Sequence, residues 1–188
     1  MRYDDASYLT RWQRGEGFPS IHDNLYALAD KHLRGTPHRS FCDLCCSTAL
    51  LGQRFLEGYP GSRVCGIEGL ASSVDQARAV GVAYPILNRM VTPATLSEVA
   101  LWWQTHRVDV LLARRCLPEI FAADRSWGPR FVASAVLSGV KVFVVQGRVP
   151  TSRATHPIPD IDAEIAVLGP GLRLVEKAGQ CAVLVPVT

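Results

Sequence analysis

Apolar residues recur along this chain at two spacings, and the spacing switches repeatedly. Ile21, Leu25, Leu28, Ala29 and Leu33 repeat at three and four residues, which predicts a helix over Ile21–Leu33. Ser20 stands at its cap position with Asp23 three residues on, and Gly35 and Pro37 close it. A short run over Ser40–Cys45 predicts a strand, followed by a helix over Ala49–Leu56 that Gly58, Pro60 and Gly61 end. Arg63–Ile67, ending at Glu68, predicts the next strand, and Ser72 or Ser73 then caps a short helix through Val80. Tyr84–Asn88 reads as a third strand weakened by Pro85. Thr92 and Pro93 form the cap and first position of a helix whose apolar stripe is Leu96, Val99, Ala100 and Trp103. Val108–Ala113 is continuously apolar, the pattern of a parallel strand covered on both faces.

Leu117–Gly139 reads as mostly helical with a break near Trp127–Pro129, and its second part is Arg130–Ser138. Val140–Val145 predicts a fifth strand, residues 147–160 a loop, and Asp160 opens a short helix that ends at Gly169. Leu172–Glu176 and Cys181–Val187 flank Lys177–Gln180, a four-residue hairpin loop. Pro186 lacks an N–H for the ladder and belongs at a strand end. Strands alternating with helices imply parallel strands joined by crossover helices, so the expected class is α/β with helices on both faces. The terminal hairpin must add an antiparallel strand. Residues 21–188 read as one domain. Residues 1–20 lack periodicity and are expected to be an arm or lid, or a loosely docked tail.

Composition narrows the class. The 188 residues are 48% apolar, enough for a real core. A net charge of +3 permits contact with a polyanion without arguing for one. The polar start MRYDDASYLTRWQRGEG is not a signal peptide, and no apolar run approaches a membrane span. The expected location is therefore the cytoplasm, away from the membrane. Of the six cysteines, Cys42, Cys45 and Cys46 form a C-x-x-C-C pattern. No second ligand pair accompanies it, so no metal site is expected, and buried reduced thiols are the default. No triad order, phosphate loop or dinucleotide-type glycine motif is present.

In an open parallel sheet, ligands bind beyond the carboxyl ends of the strands. That directs attention to Asp43–Gly52, Gly66–Gly69, Asn88–Thr92 and Ala113–Cys116. In this order and spacing the chain resembles the class I S-adenosylmethionine-dependent methyltransferases, from about residue 21 to the end. Those enzymes carry an acidic-x-Gly-x-Gly-x-Gly turn after the first strand. Here Asp43 matches the acidic residue, while Cys45, Ser47 and Ala49 stand where the glycines would be, so the motif is degenerate. Glu68 matches the acidic residue that accepts hydrogen bonds from the cofactor ribose. The resemblance implies a Rossmann-like, seven-stranded, mostly parallel sheet with a C-terminal antiparallel hairpin. It also implies S-adenosylmethionine as cofactor, held by Asp43, Cys45, Ser47, Ala49, Glu68, Gly69 and Met90.

Departures from the family pattern shape the expected function. Cβ atoms at the glycine positions penalise left-handed backbone. Met90 either packs on the adenine or belongs to the core. After the fourth strand, Ala113-Arg-Arg-Cys-Leu-Pro-Glu119 replaces the Asn/Asp-Pro-Pro-aromatic segment of amino-methylating members, which argues against that chemistry. Arg114 and Arg115 are candidates for an anionic substrate, nucleic acid included, or for pairing with a carboxylate such as Glu119. Cys116 is either a nucleophile or a structural thiol. Of Trp102 and Trp103, only one can point fully inward, and Trp127 either lines the cleft rim or anchors a loop. Two functions remain open: a methyltransferase of unread acceptor, with no catalytic residue assigned, or a methyltransferase-fold scaffold that binds a nucleic-acid or protein partner without catalysis.

Overall fold

The computed structural model of the chain describes residues 10–148 and 157–187. Its centre is one seven-stranded sheet in the order β3-β2-β1-β4-β5-β7-β6. The strands are β1 (Ser40–Leu44), β2 (Arg63–Glu68), β3 (Ile86–Asn88), β4 (Val110–Arg114), β5 (Val142–Gln146), β6 (Leu172–Ala178) and β7 (Cys181–Pro186). β1 pairs in parallel with β2 and β4, β2 with β3, and β4 with β5. β7 runs antiparallel to both β5 and β6, as the hairpin requires. This is the Rossmann-like, mostly parallel α/β sheet that the alternation of elements implies.

Side chains alternate across this sheet and build two cores. Cys42, Leu44, Cys65, Ile67, Leu111, Ala113, Phe143 and Val145 point to one face. There they meet α4 (Leu96–Thr105), α5 (Leu117–Phe121), α6 (Gly128–Leu137) and α7 (Ile161–Leu168). Phe41, Val64, Val110, Leu112, Val142, Val144, Cys181 and Val183 point to the other. That face is covered by α1 (Asp23–Leu33), α2 (Leu50–Gly58) and α3 (Ala71–Ala79). Both faces of β1, β4 and β5 are buried, which is why the run Val108–Ala113 that leads through β4 is continuously apolar.

Several boundaries differ from the pattern-based expectation, each for a local reason. Ser20 does not cap a helix; it opens a 3₁₀ turn, Ser20–His22, that leads into α1. Thr92 does not start α4. The hydroxyls of Thr92 and Thr95 close a turn on each other, with Thr92 N–H donating to Thr95 Oγ1 at 3.0 Å, and α4 begins after it. Ser72 and Ser73 lie inside α3, because the Glu68 carboxylate accepts the Leu70 N–H at 2.8 Å ahead of them. The third strand starts only after Pro85. The hairpin loop is two residues rather than four, since Ala178 pairs with Cys181 and Gly179 takes φ +56°. Asp160 does cap α7, accepting the Ala163 N–H at 2.9 Å.

Trp103 is fully buried, whereas Trp102 is half-buried against the His106 ring, 4.1 Å between centroids. Trp127 is buried against Phe121 and Phe131, an anchor rather than a rim. Among the described residues, no helix is long and apolar enough to cross a membrane. Residues 1–9 of the expected arm and 149–156 of the expected loop lie outside the described residues.

Candidate functional site

The turn leaving β1 is built on strained backbone. Cys45, Ser47 and Ala49 take φ of 53°, 49° and 66°, all in the left-handed region. For a residue with a Cβ each such conformation costs roughly 1–2 kcal/mol. These are the three positions that the resemblance aligns with glycines. The surroundings hold the turn in place. Cys46 N–H donates to Ile67 O at 2.9 Å, and Ser47 N–H donates to Glu68 Oε2 at 2.7 Å. Asp43 accepts the Gly52 N–H at 2.9 Å and the Tyr84 hydroxyl at 3.3 Å. The same hydroxyl donates to Ala49 O at 2.8 Å. Gly52 is required for this contact, because a Cβ there would stand 2.3 Å from Tyr84 Oη.

Burial raises the Asp43 carboxyl to a pKa of about 7, against the hydrogen bonds from Gly52 and Tyr84 and the field of Arg114. Through Gly52, Asp43 ties the turn to α2, and it also lines the cavity described below. Glu68 ends β2 with 7% exposure, and its two oxygens accept from Ser47 and Leu70. A carboxylate offers about four acceptor positions, so roughly half its capacity remains. Beside it, Leu70 and Met90 are 61% and 60% exposed, at the ends of β2 and β3. The Met90 side chain thus lies outside the core. It packs against Gly69, where a Cβ would meet its Sδ at 2.1 Å.

The inner end of the site is tight. A cavity of about 50 Å³ lies between Asp43, the Cys45–Thr48 turn, Arg114 and the residues Pro19, Ile21 and His22. Pockets that enclose a drug-sized ligand run to roughly 300–1,000 Å³. His22 is only 6% exposed, and its Nδ1 has no hydrogen-bond partner among the described residues. Burial, then the charges of Arg114 and Arg54, push its pKa down to about 3, so the ring is neutral. Arg54 also leans on Phe18, 6.0 Å from the ring, and pairs with Asp23 at 2.6 Å, which fastens the covering segment to α2.

The remaining candidates separate. Arg114 faces inward over Asp43 and His22, whereas Arg115 follows it with φ 53° and donates its N–H to Gln146 O at 2.6 Å. Glu119, within α5, pairs with Arg148 in the segment that follows β5. Cys116 is buried and its thiol donates to Leu44 O at 3.4 Å. The neighbouring Cys45 thiol and burial push its pKa well above the usual thiol value, which makes it a structural group. Three residues of this region escape sequence reading: His22, Tyr84 and Glu164. Glu164 is fully buried, accepts the Arg148 N–H at 3.2 Å, and keeps Oε2 without a partner among the described residues. Burial raises its pKa to about 7.

No protein-family model matches this sequence, and no curated protein matches it. Solved structures share its fold. WbdD, a bifunctional kinase-methyltransferase, superposes with a TM-score of 0.63 at 13% identity, over 87% of this chain and 41% of that one. This chain thus spans about two-fifths of WbdD. DesVI of Streptomyces venezuelae gives 0.61 at 13% identity, covering 100% of both chains. The magnesium protoporphyrin IX methyltransferase ChlM of Synechocystis PCC 6803, solved with bound SAH, gives 0.59 at 12% identity, over 100% of this chain and 90% of that one. The fold is therefore that of the Rossmann-like α/β methyltransferases.

Proposed function

We propose that this chain binds S-adenosylmethionine along the carboxyl ends of β1–β3 and transfers its methyl group to an anionic acceptor. The observation that carries the reading is the contact between Ser47 N–H and Glu68 Oε2 at 2.7 Å, with Leu70 and Met90 exposed beside it. That contact brings the turn after β1 against the carboxylate that ends β2, next to an apolar platform for a flat ring. The free acceptor positions of Glu68 suit ribose hydroxyls, and Leu70 and Met90 suit the faces of the base. Cys45, Ser47 and Ala49 bend the backbone as close approach demands, Asp43 holds that bend, and Gly69 admits Met90. When bound, the cofactor supplies an electrophilic methyl carbon on sulfur.

The cover formed by Pro19, Ile21 and His22 leaves too little room for the amino-acid end of the cofactor, so this segment lifts on binding. Neutral His22 then offers Nδ1 to whatever occupies the space. Arg114 and Arg115, at the end of β4, hold the anionic group of the acceptor.

A second reading is a scaffold that keeps the fold and has lost the ligand. The cavity of about 50 Å³ and the use of both Glu68 oxygens by backbone N–H groups favour it. Titration with S-adenosylhomocysteine separates the two. Binding is expected by calorimetry, and at a hundred times Kd it adds about 2.7 kcal/mol of stability. Met90→Ala, which removes an exposed side chain, weakens binding roughly tenfold without lowering the ligand-free melting temperature. No heat and no thermal shift at millimolar ligand would leave the scaffold reading standing.

A further inference from the structure

The opposite edge of the sheet carries a feature that the cofactor site does not use. The strands β2, β1, β4 and β5 are neighbours and run in parallel, so their leading ends line up. Each is entered through a cation: Arg63, Arg39, Arg107 and Lys141. Backbone bonds lock the row together. Arg63 N–H donates to Arg39 O at 2.7 Å, and Lys141 N–H donates to Asp109 O at 2.9 Å. Arg63, Arg107 and Lys141 are exposed, and Arg39 is half-buried over the Tyr59 ring.

These charges are not neutralised. Among the described residues, the ion pairs within 4.0 Å include none made by Arg39, Arg63, Arg107 or Lys141. The one carboxylate in the row, Asp109, accepts the Arg39 and Ser40 N–H groups at 3.3 and 3.0 Å and lies 3.5 Å from His38 Nδ1. The four cations by themselves exceed the net formal charge of the chain, +3. Helix C termini end at the same edge and favour nearby cations by about 0.3–1 kcal/mol each, but they carry partial charges only.

The spacing selects the partner. Four adjacent strands span about 15 Å at the usual interstrand distance. Over that length one strand of a duplex carries about four phosphates. Single-strand binding needs free rings for stacking. Here Trp102 is covered by His106, and Tyr59 is buried beneath Arg34 and Arg39. A bilayer needs apolar side chains to insert. Pro37, Pro60, Gly61 and Gly139 in these turns offer none, Val108 and Val140 are buried, and Leu137, 84% exposed at the end of α6, is one side chain where an interfacial element buries a whole apolar face.

We propose that the edge formed by Arg63, Arg39, Arg107 and Lys141 binds the phosphodiester backbone of a nucleic-acid duplex without reading its sequence. This surface stands apart from the cofactor cleft and holds whether or not the cofactor binds.

Fluorescence anisotropy with a labelled mixed-sequence DNA duplex tests it. With four phosphates neutralised, affinity is expected to fall about a hundredfold between 50 and 200 mM salt. Arg63→Glu/Arg107→Glu/Lys141→Glu abolishes binding, whereas Arg125→Glu, exposed at the opposite edge, changes affinity less than about twofold. Lys141→Ala alone lowers the salt slope by about 0.9. All three side chains are exposed, so an unchanged melting curve separates lost binding from lost folding. Three results overturn the proposal: no binding at about 100 μM protein in low salt, binding that survives the triple substitution, or capture by anionic phospholipid vesicles but not by the duplex.

Discussion

Ser47 and Ala49 occupy the same kind of backbone well, yet glycine should affect them differently. Both have positive φ, but Ala49 is fully buried while Ser47 is half-exposed. Ser47→Gly releases the left-handed strain, less the extra flexibility of the unfolded chain, and should stabilise by about 0.5–1 kcal/mol in urea unfolding. Ala49→Gly also loses a packed methyl worth about 0.8 kcal/mol and should come out near neutral. Equal gains at both positions would mean that burial of Ala49 contributes nothing. Glu164 gives a second test. Its folded pKa of about 7 lies above the usual 4.5, so the folded state binds a proton that the unfolded state releases. Stability therefore falls as pH rises from about 4.5 to 7 and is flat above. Glu164→Gln should stabilise the protein by on the order of 3 kcal/mol at pH 8, with the gain vanishing near pH 4. A gain independent of pH would exclude a charged Glu164. Asp43 and Glu68 stand out in the sequence because one lies just before the end of its strand and the other ends its own, at a readable spacing. His22, Tyr84 and Glu164 were not, because only tertiary packing brings them to the site, and no local pattern marks them. Leu70 adjoins Gly69 in sequence, yet its exposure depends on where α3 begins.

At the scale of elements, the alternation of apolar runs was enough to establish a parallel sheet closed by a hairpin. Helix starts were the weak point. A threonine or serine ahead of an apolar stripe offers a cap, but neighbouring groups compete for the same N–H. Thr95 competed with Thr92, and the Glu68 carboxylate took the role expected of Ser72 or Ser73. Strand order was not readable either, since the sheet is assembled from contacts far apart in the chain. One close approach between elements has a measurable consequence. Gly128 opens α6 against α7, and a Cβ there would stand 1.9 Å from Val167 O. A backbone carbonyl cannot step aside as a flexible side chain does. Gly128→Ala should cost about 1–3 kcal/mol by forcing the two helices apart. Gly61→Ala is the contrast: it has open space but φ +79°, so its cost is strain alone, about 1–2 kcal/mol, with no change in near-ultraviolet packing signals. A Gly128→Ala protein with unaltered stability would mean that α6 and α7 are not in contact.

For the molecule as a whole, the sheet separates two edges with different tasks. Glu68 and Ser47 stand at the carboxyl ends of the strands, and Arg39, Arg63, Arg107 and Lys141 at the other. Strands of five or six residues hold these edges roughly 17–20 Å apart. The screening length at physiological salt is about 8 Å, so direct electrostatic coupling between them is largely lost. The strands between are buried on both faces and do not offer two packings. Saturating S-adenosylhomocysteine should therefore change duplex affinity by less than about twofold. The same anisotropy titration, run with and without the ligand, measures this. A change of about tenfold would require a rearrangement that reaches both edges. Lifting of the Pro19–His22 cover is the candidate, because α1 continues from it to Leu33 and Arg34 beside Arg39 and Tyr59. Linkage would then demand that the duplex shift the affinity for S-adenosylhomocysteine by the same factor.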